Sequence, residues 1–270
     1  MENHSIIYYL IRACYRVTVK PIYVYIAKKQ SYNLLSKSVS SIKKIKNAYE
    51  GRRCFIIGNG PSLKTSDLEK LRNDICFASH GIYEIYDKTI WRPTYYCAQD
   101  LQLIRKRRKK INKQIESKKI IAIAQEHIYP QLTNAIFIKK IWKDFGTNLP
   151  AFSDNAQMGI YEGFTVTYMC LQLAVYMGFK EIILLGIDHN YSTMIDPEGN
   201  LVKQKGIADH FSKNDKITNL PRLNISTLAY QAAKKYADLH GIKIYNATRG
   251  GKLEVFERVN FDELFNSNIK

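Results

Sequence analysis

One short stretch decides the fold of this 270-residue chain, Cys54-Phe55-Ile56-Ile57-Gly58-Asn59-Gly60-Pro61-Ser62-Leu63. Its first four residues are apolar, which predicts a fully buried strand of a parallel sheet. Gly58 and Gly60 then indicate a tight turn that lets the backbone approach another group closely, and Pro61 is typical of the first position of a helix. A strand, a glycine turn and a helix N-terminus together predict an anion site for a nucleotide phosphate. The alternative is a βα turn without a ligand, because the third glycine of the dinucleotide fingerprint is missing.

Alternating strands and helices follow this stretch. Apolar runs predict strands at 54–57, 75–78, 94–98, 119–124, 135–138, 181–185 and 242–245. Helical periodicity predicts helices at 163–177 and 225–240. Repeated βα units predict an α/β fold with a Rossmann-like, doubly wound and mostly parallel sheet. Ligands bind such sheets at the carboxyl ends of the strands, and the polar residues there are Asn59, Ser62, Ser79, His80, Gln99, Asp100, Asp188 and His189.

The composition is strongly basic, with 41 Lys and Arg, 24 Asp and Glu, and a formal net charge of +17. This balance predicts an anionic partner: a nucleotide, an anionic membrane surface or nucleic acid. Nucleic acid is the least favoured of these, since no nucleic-acid-binding signature occurs. The five cysteines lack disulfide or metal-ligand spacing, which predicts thiols in a reducing compartment. Without a signal-peptide pattern or a run of about 18 apolar residues, we expect a cytoplasmic protein.

Residues 1–50 form a basic extension ahead of the predicted catalytic domain at 51–270. The extension holds nine Lys or Arg and two Glu, with Ile, Val and Tyr between the cations. This pattern is typical of an amphipathic helix on anionic lipid, which would make the protein peripheral on the inner face of the membrane. A basic helix packed on the main domain or on a partner chain fits equally well. Pro21 predicts a break between two helical pieces.

A second basic feature is the run of six cations at 105–110. Such a run is usually the solvated face of a helix. Its functional alternatives are contact with membrane phospholipid and contact with a polyanionic acceptor.

Group transfer from a nucleotide-activated donor requires a stabilised leaving group, a base for the acceptor hydroxyl and exclusion of water. The chain has no Asp-x-Asp motif for a divalent metal, which favours metal-free stabilisation at 58–62 and predicts no cofactor. Histidine has the pKa that a base needs. His210, in the polar segment 189–222 that we expect to form a lid, is the first candidate, and His189 is the second. Asp188 would orient the base or hold a ribose.

Two blocks of the sequence resemble a known group of bacterial enzymes. They are Phe55–Lys64, and Tyr168-Met169-Cys170 with Gly178-Phe179-Lys180-Glu181-Ile182 and Gly186-Ile187-Asp188. Both resemble the sialyltransferases of glycosyltransferase family 42. They also resemble the broader group of domain of unknown function 115, which includes flagellin-glycosylation proteins and a pterin pyrophosphokinase-like branch. Residues 245–251 are more similar to the broader group, and the resemblance covers roughly 52–260.

The resemblance implies a metal-independent glycosyltransferase with one nucleotide site. It would move a sugar of the sialic-acid or related ulosonic type from a CMP-activated donor to a glycan or lipid-linked acceptor, such as a capsule or lipopolysaccharide precursor. The implied nucleotide-binding residues are Gly58, Asn59, Gly60, Ser62, Ser79, His80, Gln99, Asp100, Gly163, Thr165, Asp188 and Tyr191. In the sialyltransferases the catalytic histidine opens the helix before the last strand, where this chain has Asn224. His210 would therefore reach the site from the lid.

Two other functions are kept as alternatives, and the oligomeric state is left open. A pyrophosphokinase-like phosphotransferase would require ATP and Mg²⁺. A non-enzymatic basic module would bind membrane or nucleic acid, with an affinity that falls steeply as salt rises.

Overall fold

The computed structural model describes residues 6–143, 146, 148–214 and 219–268. The strands are β1 Arg53–Ile57, β2 Cys76–Ser79, β3 Tyr95–Ala98, β4 Lys118–Ile123, β5 Ala135–Ile141, β6 Ile160–Tyr161, β7 Glu181–Leu185, β8 Thr193–Ile195, β9 Leu201–Lys203, β10 Lys243–Asn246 and β11 Glu257–Arg258. The α-helices are α1 Ile6–Cys14, α2 Lys20–Ile45, α3 Thr65–Lys70, α4 Leu101–Gln114, α5 Val166–Tyr176 and α6 Leu223–Leu239. A π-helical turn spans Tyr15–Val19, and 3₁₀ turns span Ile82–Ile85 and Asp262–Asn268.

The main sheet has nine parallel strands in the order β11-β10-β7-β1-β2-β3-β4-β5-β6, and β8 and β9 form a separate antiparallel hairpin. The predicted Rossmann-like α/β fold is confirmed. In the middle of the sheet Ile56 of β1 lies between Phe77 of β2 and Leu184 of β7. The strand order reverses between β1 and β7, which is where ligands bind in doubly wound sheets.

Both faces of the sheet are covered, which explains why its strands are continuous apolar runs. Cys54 and Ile56 of β1 pack with buried residues of α5 and α6. Phe55 and Ile57 point to the opposite face and pack with buried residues of α3 and α4. Each large apolar side chain buried in this way stabilises the fold by about 1.5–3 kcal/mol.

Residues 6–45 of the basic extension form a helical rod in which a π-helical turn joins α1 to α2, so Pro21 marks the start of a second helical piece, as predicted, and the helical path continues through it. Pro21 lies in the first turn of α2, directly after the π-helical turn. In that turn the Lys20 N–H donates to the Tyr15 carbonyl, five residues back. The wider turn accommodates a residue that has no N–H to donate. The second half of α2 packs on the sheet, where the Phe137 N–H of β5 donates to Ser38 Oγ at 2.8 Å.

The segment after β1 also differs from the prediction. Pro61 does not open a helix, because α3 begins only at Thr65 and has six residues. Residues 60–63 instead form a β-turn in which the Leu63 N–H donates to the Gly60 carbonyl at 3.1 Å. Proline is as well suited to the second position of such a turn as to the start of a helix.

Candidate functional site

The glycine turn after β1 packs directly against the residues that follow β7. The Gly58 N–H donates to the Leu185 carbonyl at 2.8 Å, and the Gly60 N–H donates to the Gly186 carbonyl at 2.9 Å. Because β7 continues alongside the turn, these amides already have partners within the protein. The N–H groups of Gly58 and Gly60 are therefore not free to form the predicted anion cradle, and no helix begins at Pro61. Nucleotide contacts by Gly58 and Gly60 stay predictions.

Asp188 is brought to the same turn from the end of β7. Ser62 Oγ donates to Asp188 Oδ2 at 2.7 Å, and the Ser62 N–H donates to Oδ1 at 3.3 Å. Burial raises the pKa of Asp188, and the two bonds from Ser62 oppose that rise. A Cβ at Gly60 would lie 1.7 Å from Asp188 Oδ2, and one at Gly251 would lie 2.8 Å from the Asp188 carbonyl. The turn needs glycine at position 60 because the Asp188 carboxylate takes the space of a side chain and the Gly186 carbonyl would lie 2.8 Å from its Cβ.

Asn59, between the two glycines, has a buried atom that lacks a partner. The residue is only 8% exposed, and its Nδ2 donates to the Ser79 carbonyl at 3.0 Å. Its Oδ1 is buried and has no hydrogen-bond partner among the described residues. An unpaired buried acceptor costs about 1–3 kcal/mol. A ligand N–H or O–H would satisfy this oxygen, so Asn59 is the clearest indication of a bound molecule at the switch point.

The segment 189–222 crosses the carboxyl edge of the sheet, where a lid was expected. The Phe211 N–H donates to the Asn59 carbonyl at 2.9 Å, and Asn219 Nδ2 donates to Asp100 Oδ2 at 2.8 Å. The segment is braced internally by Asp209, whose carboxylate accepts from the N–H and Oγ of Ser192 at 2.6 and 2.9 Å. Its described parts reach from the end of β1 to the end of β3. Residues 215–218 lie outside the described part.

His210 lies on this segment between Asp209 and Phe211, the two residues that anchor it. The ring of His210 is half-buried and meets the Tyr191 ring edge-on, with centroids 6.5 Å apart. Burial raises the pKa of Tyr191, and the nearby Tyr230, Asp188 and Asp209 raise it further. The structure thus places His210, Tyr191 and Asp188 near the glycine turn.

His189 has a different environment. It is buried with a positive φ of 52°, and its Nε2 lies 2.9 Å from Thr227 Oγ1 of α6. Its ring packs edge-on against Tyr230, with centroids 5.4 Å apart. Burial lowers the pKa of His189 to about 4, so the imidazole is neutral at pH 7. It borders a cavity of about 680 Å³ between α6 and residues 252–255.

The lowered pKa of His189 predicts a loss of stability in acid. The unfolded chain binds a proton at His189 with a pKa of about 6.5, whereas the folded chain does so only near 4. Unfolding therefore takes up a proton between these values, and the free energy of unfolding falls as the pH drops below 6.5. The His189 share of this loss is about 2 kcal/mol at pH 5.

The measurement is urea unfolding of the native chain and of His189→Asn at pH 7 and pH 5. Asparagine tolerates the positive φ and does not titrate. We expect the native chain to lose about 2 kcal/mol more than the variant between the two pH values. Equal losses would show that His189 is not held neutral by burial.

Several other predicted residues form local structure at the same edge. Asp100 caps α4 and accepts from the N–H groups of Gln102 and Leu103 at 2.8 and 3.1 Å. Thr165 caps α5, and its Oγ1 lies 3.3 Å from Tyr230 Oη. Gly163 is required by packing, because a Cβ there would lie 2.4 Å from Cδ1 of Tyr168. Nucleotide contacts by Asp100, Thr165 and Gly163 stay predictions.

The remaining candidates lie at the end of β2 and in the turns after β2 and β3. Ser79 is buried, and its carbonyl is the partner of Asn59. His80 has a φ of 50°, and its carbonyl accepts from Tyr96 Oη at 2.9 Å. Gln99 is buried, and its Nε2 donates to Glu162 Oε1 at 2.9 Å. The three residues lie at the carboxyl ends of neighbouring strands, with Ser79 inside β2 instead of after it, and their contacts with a ligand stay predictions.

Sequence reasoning missed an aromatic group near Gln99. Glu162 Oε1 also accepts from the Phe164 N–H at 3.0 Å. Phe164 has a φ of 57°, which is unusual for a bulky residue, and the residue is 37% exposed. Arg222 lies 5.6 Å from the centre of this ring, and the exposed Trp142 meets it edge-on with centroids 5.3 Å apart. In the sequence, the only sign of this aromatic group is that Phe164 lies between Gly163 and Thr165, two residues predicted to bind the nucleotide.

Comparison with known proteins gives a family and a structural neighbour. The family 6-hydroxymethylpterin diphosphokinase MptE-like matches residues 28–194, whereas no curated protein matches the chain. The fold is similar to that of the MAf glycosyltransferase from Magnetospirillum magneticum AMB-1, with a TM-score of 0.51 and 13% identity. The match covers 85% of this chain but only 38% of that protein. At this identity the likeness shows the fold alone.

These matches confirm the broader of the two resemblances, which includes a pterin pyrophosphokinase-like branch, and do not single out the sialyltransferases. The family match spans more than half of the 270 residues. The chain therefore belongs to the 6-hydroxymethylpterin diphosphokinase MptE-like family.

Proposed function

We propose that the protein is a glycosyltransferase that binds the nucleotide of an activated sugar donor between the carboxyl ends of β1 and β7. The observation that carries the proposal is Asn59, a buried side chain with an unpaired acceptor at the switch point. The likeness of the fold to a glycosyltransferase supports the reaction class. The resemblance of residues 55–64 to sialyltransferases favours a CMP-activated sugar.

In this proposal Asn59 and Asp188 hold the nucleoside. Asn59 Oδ1 accepts from an N–H or O–H of the ligand, because Nδ2 is engaged by Ser79. The Asp188 carboxylate uses two of its roughly four acceptor sites on Ser62. The other sites suit a ribose hydroxyl.

The nucleobase is proposed to stack on Phe164. The exposed side chain of Phe164 lies between Gly163 and Thr165, the residues expected to reach the cytidine. The Arg222 guanidinium is within cation–π distance of the Phe164 ring. Stacking of a base on an aromatic side chain contributes about 1–3 kcal/mol. Glu162 links the Phe164 backbone to Gln99 and forms an ion pair with Lys140 at 2.8 Å. These contacts fix the ring at the carboxyl edge without the ligand.

His210 is the proposed base for the acceptor hydroxyl, ahead of His189. The segment that carries His210 is anchored on Asn59 by the Phe211 N–H, which supports a place for the imidazole beside the proposed nucleotide. His189 is engaged by Thr227 and has a pKa lowered to about 4, which makes it a weak base at neutral pH. The same segment would exclude water from the donor.

A phosphotransferase is the second candidate, because the family is named for a diphosphokinase. Such an enzyme would bind ATP together with Mg²⁺ at the same edge of the sheet. The two proposals therefore differ in the nucleotide and in the need for a metal.

Calorimetric titration of the full chain separates them. CMP, UDP, GDP and ATP are each titrated in EDTA and in Mg²⁺. Binding of CMP in both conditions supports the CMP-sugar donor, and binding of UDP or GDP supports a transferase with another donor. Binding of ATP only in Mg²⁺ supports phosphotransfer. No binding by any of the four would contradict a nucleotide site at the switch point.

Removal of the Asn59 amide is expected to weaken nucleotide binding. In Asn59→Ala the ligand loses its buried acceptor, so we expect Kd for the preferred nucleotide to rise by roughly 10- to 100-fold. Asn200→Ala is the matched control, since Asn200 lies on the exposed turn between β8 and β9 and, within the described part of the chain, bonds only with Asp196. Unfolding curves are recorded in parallel, because Asn59→Ala also loses its bond to Ser79. A folded variant with unchanged Kd would remove Asn59 from the site.

A further inference from the structure

The first half of the helical rod carries an uncovered apolar stripe. Its members recur every three or four residues, the spacing that places side chains on one face of a helix: Tyr8, Ile11, Tyr15, Val19, Ile22 and Ile26. All six are exposed, and Ile11 is 66% exposed. An apolar stripe of this length is unusual on a water-facing surface and indicates a partner.

Cations run beside this stripe without acidic neighbours. Arg12, Arg16 and Lys20 follow one another at intervals of four residues and are exposed. Residues 6–49 contain no Asp or Glu. An apolar stripe flanked by cations alone is typical of a helix that lies in the headgroup region of an anionic membrane.

The fold joins this rod to the six-cation run on α4. Arg105 Nη2 donates to the Ile128 carbonyl at 2.7 Å, and Tyr23 Oη of α2 accepts from the Ile128 N–H at 3.5 Å. One residue further, Gln30 of α2 bonds both backbone groups of Tyr129, at 2.8 and 2.9 Å. The two basic features, separate in the sequence, therefore meet at one loop.

Two exposed lysines of α4 extend the positive surface. Lys106 and Lys109 lie one and four residues after Arg105, which places them on adjoining parts of the helix surface. Neither is neutralised by an ion pair among the described residues. The anionic side chains nearest in the sequence, Asp100 and Glu116, lie before α4 and after it.

We propose that the apolar stripe, its flanking cations and Lys106 and Lys109 form one surface that lies on an anionic phospholipid bilayer. A second copy of the chain would be a less favourable partner for this surface. Pairing two rods along this stripe would bring like charges together, with no carboxylate in residues 6–49 to neutralise them. No helix of the described segments is apolar and long enough to span a bilayer.

The test is co-sedimentation of the full chain with vesicles of phosphatidylcholine alone or mixed with phosphatidylglycerol. We expect at least about tenfold tighter binding to the mixed vesicles, and release at high salt. Arg12→Glu/Arg16→Glu and Lys106→Glu/Lys109→Glu should each weaken binding by about tenfold or more. Lys180→Glu/Lys243→Glu is the matched control. Both lysines are exposed at the amino end of the sheet, whereas the loop that joins the rod to α4 follows the carboxyl end of β4. Equal binding to both vesicle types would overturn the proposal.

Cys14 provides a second readout on the rod itself. It is exposed, whereas Cys54, Cys76, Cys97 and Cys170 are buried. An environment-sensitive fluorophore on Cys14 should shift to the blue with the mixed vesicles and not in their absence. A dye that reports an apolar environment without lipid, together with a dimer in sedimentation, would assign the stripe to a second copy and contradict the proposal.

Discussion

Replacement of His210 by alanine is expected to lower the rate of sugar transfer by roughly 10²–10⁴-fold, with little change in donor affinity. The reason is its place on the segment that the Phe211 N–H ties to Asn59 and that Asp209 braces. The imidazole of His210 contacts the Tyr191 ring. The bond to Asn59 comes from the Phe211 backbone, so it does not depend on the His210 side chain. Its removal would therefore take away the base and leave the nucleotide contacts in place.

The rate is measured as CMP release from CMP-N-acetylneuraminate, or from the sugar donor of whichever nucleotide binds best. Calorimetry with the free nucleotide follows donor binding separately. His127→Ala is the control, because His127 is an exposed histidine outside the candidate site. Near-normal turnover in His210→Ala would exclude this residue as the base. A parallel loss of donor binding would show a structural role instead.

The main sheet could be predicted because its strands are buried on both faces. β1 and β7 are continuous apolar runs, and such runs stand out from the helical periodicity of α5 and α6. β6 and β11 have two residues each, and β8 and β9 have three. Strands this short leave no periodic pattern. β6 and β11 are added at the two edges of the main sheet, and β8 and β9 pair with each other.

The glycine motif shows what a local pattern leaves undetermined. A pair of glycines indicates a close approach to the backbone but not the group that approaches. In this chain the group at Gly60 is the carboxylate of Asp188, 128 positions further along the chain. Only the pairing of β1 with β7 brings the two residues together.

The candidate site was predictable in part for the same reason. Ser79 ends β2, and Asn59, Gln99 and Asp188 follow β1, β3 and β7, so the sheet alone places all four at one edge. Phe164 and the anchoring residues Asp209 and Phe211 lie outside such positions. Their placement depends on long-range contacts, such as the bond from the Phe211 N–H to Asn59, that no local pattern encodes.

The second prediction concerns Gly60 and separates packing from ligand binding. Gly60→Ala is expected to lower the free energy of unfolding by about 3 kcal/mol, since overpacking of this kind typically costs 1–3 kcal/mol and the displaced Asp188 also loses its bonds to Ser62. The backbone of Gly60 is not in the left-handed region, so an added methyl group meets only the steric obstacle. Gly51→Ala is the contrasting control, because its φ is +73° and no atom lies within 4 Å of its Cβ position. Its cost is the backbone strain alone, about 1 kcal/mol.

Urea unfolding of Gly60→Ala, Asp188→Ala and the double variant tests the cause. Asp188→Ala removes the Oδ2 and Cγ atoms that lie 1.7 and 2.5 Å from the new methyl group, and it leaves the Gly186 carbonyl at 2.8 Å. The double variant should therefore be more stable than the sum of the single effects predicts, by about 1–3 kcal/mol. Additive effects would show that Asp188 is not what keeps position 60 free of a side chain.

If Gly60 serves packing alone, the double variant should also bind nucleotide as well as Asp188→Ala does. If the ligand itself needs the space at position 60, binding stays weak even where stability returns.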